Sequence, residues 1–450
     1  MPPLAAARGS STAPLYRKLR PRPNGPPREQ IVTNQRTRLC GAIIEAAALH
    51  GYTDTSVAQV CRLAGVSKRT FYEQFENKQA CFLASYERVQ GCAHARMAAA
   101  QESAPSWEQG LHAGLGTLVQ GLAEQPHAAK LALVELDAVG PAALLARQEV
   151  RSAFERSIAA SFDRAAHRTP LPPALAKGIV CGIERTLRRR VVSGPPAGGA
   201  ADALTRELAA WALSYSSAAL AELPVEAPQR GERTERSPAR ARAGGERARI
   251  LRAAAEILAG DGHARLDASR IARRAGVRED AVWACYDSVE QCFLDAVDLV
   301  GLEALVCVGQ AYRAGGEGPT GVCRAITELV VRVAEEPVLR RIVFTQVALA
   351  GPPAVERRER LLDAFADLLI RGLARAQRPS PVAADAAVAA VWGLIDHHVA
   401  RGVTQLLPGL AAYAAYLALA PSVGAEQALE TILGEWGPAA CGSRRAAPAR

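Results

Sequence analysis

Ser67, Lys68, Arg69, Thr70, Tyr72 and Gln74 fall within eight consecutive residues, with Ser56 shortly before them and Lys78 shortly after. Hydroxyl, ammonium, guanidinium and amide groups so concentrated are donors suited to phosphate oxygens and to base edges. Phe71 and Phe75, which cannot do such chemistry, are four apart and so share one face of a helix. A short helix anchored by that pair leaves Lys68, Arg69, Thr70, Tyr72 and Gln74 on or near its outer side. Such an element suits a DNA major groove.

The preceding stretch supplies the support. Thr55 or Ser56 can cap a helix in which Val57, Val60, Cys61 and Ala64 recur at helical spacing. Gly65 can close that helix in a left-handed conformation, Val66 plugs the corner, and Ser67 caps the next helix. A further helix over 39–51 (LCGAIIEAAALHG) and another from Lys78 to about Met97 complete the head.

The run AGVSKRTFYEQFENK resembles the helix-turn-helix signature of the TetR family of bacterial transcriptional regulators, in register from about Arg36 to Val89. The resemblance implies an all-α chain with an N-terminal DNA-reading head. A C-terminal helical domain would bind a small effector and dimerise, and repression is the usual outcome. It further implies that Lys68 and Arg69 sit at groove-contacting positions and that Gln74 reads bases. Ser56, Thr70, Tyr72 and Lys78 match phosphate-contacting positions. Ser56 also reads as a plain helix cap, Tyr72 as a packing residue and Lys78 as a solvated charge.

The 450-residue chain is long enough for several cores. A net charge of +9 favours an anionic partner, although it reflects a general richness in Arg. The ten cysteines fall mostly within apolar helical patterns (Cys61, Cys81, Cys181, Cys292, Cys323), and none has C-x-x-C spacing. This predicts buried thiols in a reducing cytoplasm rather than disulfides or zinc. The N-terminus lacks the apolar core of a signal peptide. The run 406–423 is broken by Pro408, Gly409 and Pro421, too soon for a membrane span.

Residues 1–30 read as a disordered basic arm and 222–245 as a disordered linker, both poor in large apolar residues. After the linker the pattern restarts. Residues 246–300 lie under 35–89 without a gap at an offset of 211, which carries Gly65 onto Gly276 and Cys81-Phe82-Leu83 onto Cys292-Phe293-Leu294. The register persists through Gly140-Pro141 on Gly351-Pro352 and Ala153-Phe154 on Ala364-Phe365. The expected organisation is therefore two tandem TetR-like units. The first has a helix-turn-helix head over 31–90 and a helical effector and dimerisation domain over 91–221. The second has a degenerate head over 246–300, a helical domain over 301–436 and a disordered tail over 437–450.

The second head keeps Ala275-Gly276-Val277, with Val282 and Tyr286 for the two aromatics, and loses the donors. Ser67 becomes Arg278, Lys68 becomes Glu279, Arg69 becomes Asp280, Thr70 becomes Ala281, Tyr72 becomes Trp283 and Lys78 becomes Val289. Two cations against one anion become one cation against two anions, which opposes phosphate binding. The second head is expected to fold and to read DNA poorly.

A second cluster, Trp392, Asp396, His397 and His398, resembles a late helix of the family's effector domain, where polar positions line a pocket or the dimer seam. Adjacent histidines diverge by about 100° on a helix, so a metal is not expected. Nothing pairs a nucleophile with a base, and neither an enzyme nor a cofactor is expected. The partners expected are double-stranded DNA and an unknown small-molecule effector, with an intramolecular pseudo-dimer or a homodimer and no membrane. The competing reading is a ligand-sensing or protein-interaction module whose second half does not bind DNA.

Overall fold

The computed structural model describes residues 27–164, 170–194, 198–215, 220, 223, 245–316, 318–347, 350–373 and 377–436. The arm short of Pro27, nearly all of the linker and the tail lie outside the described residues. Among the described residues all regular structure is helical. The first helix starts at Arg28, inside the stretch expected to be disordered.

The helices are numbered in chain order. The first head comprises α1 (Arg28–His50), α2 (Val57–Ala64), α3 (Lys68–Gln74) and α4 (Lys78–Glu102). It is followed by α5 (Trp107–Glu124), α6 (Pro126–Leu133), a 3₁₀ turn over Glu135–Ala138, α7 (Pro141–Asp163), α8 (Pro173–Ser193) and α9 (Gly199–Leu213). The second series begins with α10 (Glu246–Gly260), α11 (Ala268–Ala275), α12 (Glu279–Cys285) and α13 (Val289–Ala314). Then come α14 (Pro319–Glu335), a turn at Pro337–Leu339, a π-helix over Arg340–Gln346 and α15 (Pro352–Gly372). The chain ends with α16 (Pro381–Ala400), a 3₁₀ stretch over Thr404–Leu410, α17 (Ala411–Val423) and α18 (Ala425–Trp436). Helices α11 and α12 stand 211 residues after α2 and α3 at both ends.

The chain divides into two compact units, one of residues 1–164 and 183–209, the other of residues 165–182 and 210–450. The division falls inside α8 and α9, not at the linker.

In the first unit, Leu39, Ile43, Val60, Phe71, Phe75, Phe82 and Tyr86 are buried in one core that holds the head together. Burying side chains of this size stabilises by roughly 1.5–3 kcal/mol each. The same unit contains a mostly buried ionic cluster that the sequence reading did not find. Arg147 bridges Asp137 and Glu184, Arg151 joins Glu184, and Arg188 joins Asp137. Burial opposes the charge on Glu184, but the Arg151 and Arg147 guanidinium groups hold its carboxyl below the usual carboxylate range.

In the second unit the N-terminal part of α8 and the end of α9 pack with α16 and α17. Tyr215 donates its hydroxyl to the Leu417 carbonyl at 2.8 Å, and Tyr416 donates to the Tyr215 carbonyl at 3.3 Å. Both tyrosines are fully buried. Gly182 lies against Trp211 and the Ala386 carbonyl, and Gly393 against Cys181, closely enough that a Cβ at either glycine would collide. Small residues here let backbones approach as no larger side chain would.

The apolar run Thr404–Val423 behaves otherwise than expected in one respect, since Pro421 sits within α17 and does not end it. By length and composition that stretch is apolar enough to cross a membrane, and 56% of it is buried inside the protein. A core helix of a globular protein meets the same description. Cys61, Cys81, Cys181, Cys292 and Cys323 are all buried as expected, and burial pushes the Cys292 and Cys323 thiols up to about 12.

Candidate nucleic-acid interface

The turn between α2 and α3 is built as the residue types require. Ser56 caps α2, its hydroxyl accepting the Gln59 N–H at 3.3 Å, while the Gln59 side chain accepts the Ser56 N–H at 2.7 Å. Gly65 closes α2 at φ 61° and ψ 42°, where a side chain would cost about 1–2 kcal/mol. Val66 then donates back to the Cys61 carbonyl at 3.0 Å. Ser67 caps α3 by accepting the Thr70 N–H at 3.0 Å, and the two hydroxyls lie 3.0 Å apart. Phe71 and Phe75 are buried, with ring centroids 5.9 Å apart, and fix the face α3 turns inward.

The remaining side chains are thereby placed. Ser67, Lys68 and Arg69 are exposed, Tyr72 is 57% exposed, and Thr70 and Gln74 are half-buried. Lys68 has no hydrogen bond or ion pair among the described residues, whereas Arg69 pairs with Glu73 at 3.1 Å across one helical turn. That exposed pair is worth little and opens readily toward a stronger anion.

Lys78 does not stand out into solvent. Its ammonium donates to the carbonyls of Tyr52 and Thr55, each at 2.8 Å, and of Thr53 at 3.3 Å, and lies 4.2 Å from the Tyr52 ring centroid. Burial lowers its pKa, and Asp54 partly offsets this. It staples the loop that delivers Ser56. The sequence reading also missed two residues of this kind. Arg38, buried, donates to the Ala64 and Gly65 carbonyls at the end of α2. Arg36 donates to the Gln74 carbonyl at 2.9 Å and stacks over Phe75. Both lie on α1 with nothing in the local pattern to single them out from other arginines.

Residues 41–85 match the family model described as bacterial regulatory proteins, tetR family. The matched stretch contains the whole α2–turn–α3 arrangement. No curated protein matches the chain. Among solved structures, the fatty acid degradation regulator FadR from Bacillus halodurans is 18% identical with a TM-score of 0.36, covering 40% of this chain and 94% of that one. FadR from Bacillus subtilis, solved with stearoyl-CoA, is 18% identical with a TM-score of 0.36, over 39% and 97%. A TetR family regulator from Marinobacter aquaeolei VT8 is 19% identical with a TM-score of 0.34, over 40% and 96%.

The corresponding surface of the second unit has the same backbone and different chemistry. Gly276 closes α11 at φ 65°, Val277 donates to the Ala272 carbonyl at 3.1 Å, and Val282 and Tyr286 are buried. Three of the guanidinium groups around it are engaged by acids: Arg270 with Asp261 at 3.1 Å, Arg274 with Glu256 at 2.6 Å and Arg278 with Asp280 at 2.7 Å. The Arg278 hydrogen bond holds the Asp280 carboxyl below its ordinary range. Glu279 is exposed at the leading end of α12, and Trp283 is 48% exposed.

Of the second expected site, Trp392 lines a cavity. It is stacked on Phe344, with centroids 4.2 Å apart, and lines an apolar space in the second unit. Asp396, His397 and His398 are half-buried and are not part of that lining. His398 instead bonds the Leu394 carbonyl of its own helix at 2.8 Å, and its ring meets that of His397 at 5.3 Å.

Proposed function

We propose that the chain is a sequence-specific DNA-binding transcriptional regulator, a repressor relieved by a small-molecule effector. The observation that carries this is α3. A short helix is locked inward by Phe71 and Phe75 and presents Ser67, Lys68, Arg69, Thr70 and Tyr72 outward, with the Lys68 charge unengaged. Lys68 and Arg69 reach base edges, Gln74 reads from the far end of the helix, and Ser56, Thr70 and Tyr72 contact phosphates. Lys78 acts at one remove, by fixing the loop before Ser56.

The chain is read as a tandem duplication whose second head has kept its scaffold and lost its grip. Contacts at the same offset support this. Arg36 over Phe75 has its counterpart in Arg247 over Tyr286. Lys130 on the Ala48 carbonyl is matched by Arg341 on the Ala259 carbonyl. The two halves are read as an intramolecular pseudo-dimer, supported by the packing of Tyr215 and Trp211 with α16 and α17 inside one compact unit. A single competent head then faces the operator, and the regulator works in the cytoplasm.

Footprinting on genomic DNA tests this reading. The expected result is a protected site dominated by one half-site; absence of protection at low ionic strength contradicts it. Light scattering of the free protein at one chain per particle supports the pseudo-dimer, and two chains per particle overturn it.

A further inference from the structure

The cavity beside Trp392 lies wholly within the second unit, and its wall is made by Val308, Tyr312, Leu329, Phe365, Val391 and Trp392 with their apolar neighbours. Among the described residues, no charged side chain contributes to it. The hydroxyl of Tyr312 is committed in both directions, donating to the Gly372 carbonyl and accepting the Gly318 N–H at 3.0 Å. An anion entering such a space would lose its hydration and find no cation, at a cost that excludes it. A cavity of this character stays dry and favours an apolar guest.

Its volume is about 50 Å³, a third or so of the ~150 Å³ apolar cavity that admits benzene. The guest is therefore compact, and its entry displaces a wall. One wall is suited to that. Trp392 rests on Phe344, which belongs to the π-helix Arg340–Gln346. Such irregular turns recur where a helix serves function and not only support.

At the register of the cavity wall the first half differs: Gln101, Lys177 and Glu207 stand 211 residues before Tyr312, Val388 and Ala418. Polar or charged side chains in one half stand where the other half has its apolar wall.

We propose that this cavity binds a compact, uncharged, apolar molecule, a single aromatic ring or a short branched hydrocarbon, and not a carboxylate or a coenzyme A thioester. This rests on the regulator reading above, and makes the half without a DNA grip the half that senses.

The test uses the full chain, calorimetric titration and thermal unfolding, with toluene and indole as neutral probes and benzoate and stearoyl-CoA as charged ones. Toluene or indole is expected to bind and raise Tm, with benzoate and stearoyl-CoA weaker by more than about tenfold. Ala325→Phe, which fills the cavity, is expected to abolish the toluene effect and leave the affinity of ligand-free protein for its operator unchanged. Should that variant not fold, the anomalous signal of iodobenzene in crystals of the native chain decides the matter, with iodine expected between Leu329, Phe365 and Trp392. Equal binding of benzoate and toluene, no binding of either neutral probe, or iodine elsewhere overturns the proposal. Operator affinity measured without ligand on the same protein separates the two readings. Its absence sinks the regulator, while toluene binding that leaves operator affinity unmoved overturns the sensing role.

Discussion

The carboxylate of Glu135 accepts the backbone N–H of Tyr52 at 2.9 Å, and 211 residues later the amide oxygen of Gln346 accepts the backbone N–H of His263 at 2.8 Å. In each half this bond ties the end of the first helix of the head to the segment after α6 or its counterpart. The rings repeat it as well, Tyr52 meeting Phe82 edge-on at 4.9 Å and His263 meeting Phe293 at 4.7 Å. Each bond satisfies a half-buried N–H just past the end of its helix, α1 or α10. Glu135→Ala removes the acceptor of a half-buried N–H and the partner of Lys130, 3.7 Å away. It is expected to destabilise the first unit by about 1–3 kcal/mol. Gln346→Ala is expected to do the same to the second. Amide hydrogen exchange checks both, with Tyr52 accelerated only in the first variant and His263 only in the second.

Lys78 gives a prediction that separates two roles. A phosphate ligand, when removed, lowers the salt dependence of DNA binding by about one unit of slope. A loop staple, when removed, lowers stability. Lys78→Ala is expected to cost about 1–3 kcal/mol in chemical denaturation, for three carbonyls left without their donor. The slope of log affinity against log salt is expected to stay as in the parent.

The ionic cluster of the first unit makes stability depend on pH. The Arg151 and Arg147 guanidinium groups hold the Glu184 carboxyl below the usual carboxylate range in the folded chain. Its contribution is thus complete above the ordinary carboxylate pKa and is lost as pH falls through the lower folded one. Unfolding followed from pH 7 downward is expected to show the first unit weakening in that acid range. Glu184→Gln flattens this dependence. At neutral pH it costs about 2–3 kcal/mol, below the ~3–5 kcal/mol of a fully buried pair because the side chain is 23% exposed.

Much of the head was legible in the sequence because its determinants are local. Cap, turn glycine, corner valine and an aromatic pair at a spacing of four specify α2 and α3 without reference to anything distant. The same locality made the restart at residue 246 visible. What escaped is what depends on long-range placement. Arg38 and Lys78 look like ordinary surface cations until the loop carbonyls they serve are brought beside them. The cavity beside Trp392 is lined by Val, Leu, Ala and aromatic residues from five helices, a lining that no local pattern marks out. The ionic cluster joins residues from three separate stretches, and the division into units cuts through α8 and α9 because packing there follows contacts that no linker announces.

If the second head is a retained scaffold as proposed, giving α12 the donors of α3 is expected to give it some grip, since Gly276 closes α11 as Gly65 closes α2. Arg278→Ser with Glu279→Lys and Asp280→Arg recreates the cap and the two leading cations. Nonspecific duplex affinity at low salt is expected to rise about tenfold or more. An unchanged affinity would mean that the backbone of α12 is not competent, contrary to the reading of a retained scaffold.

The most direct test compares fluorescence anisotropy on operator DNA for two double variants of the full chain, at one fixed salt concentration. Lys68→Ala with Tyr72→Ala removes an unengaged cation and an exposed phenol from α3, while Arg273→Ala with Arg274→Ala removes two cations from α11. The first pair is expected to weaken binding by about a hundredfold or more, and the second by less than about threefold. Equal losses in the two variants would contradict an account in which only the first head holds DNA.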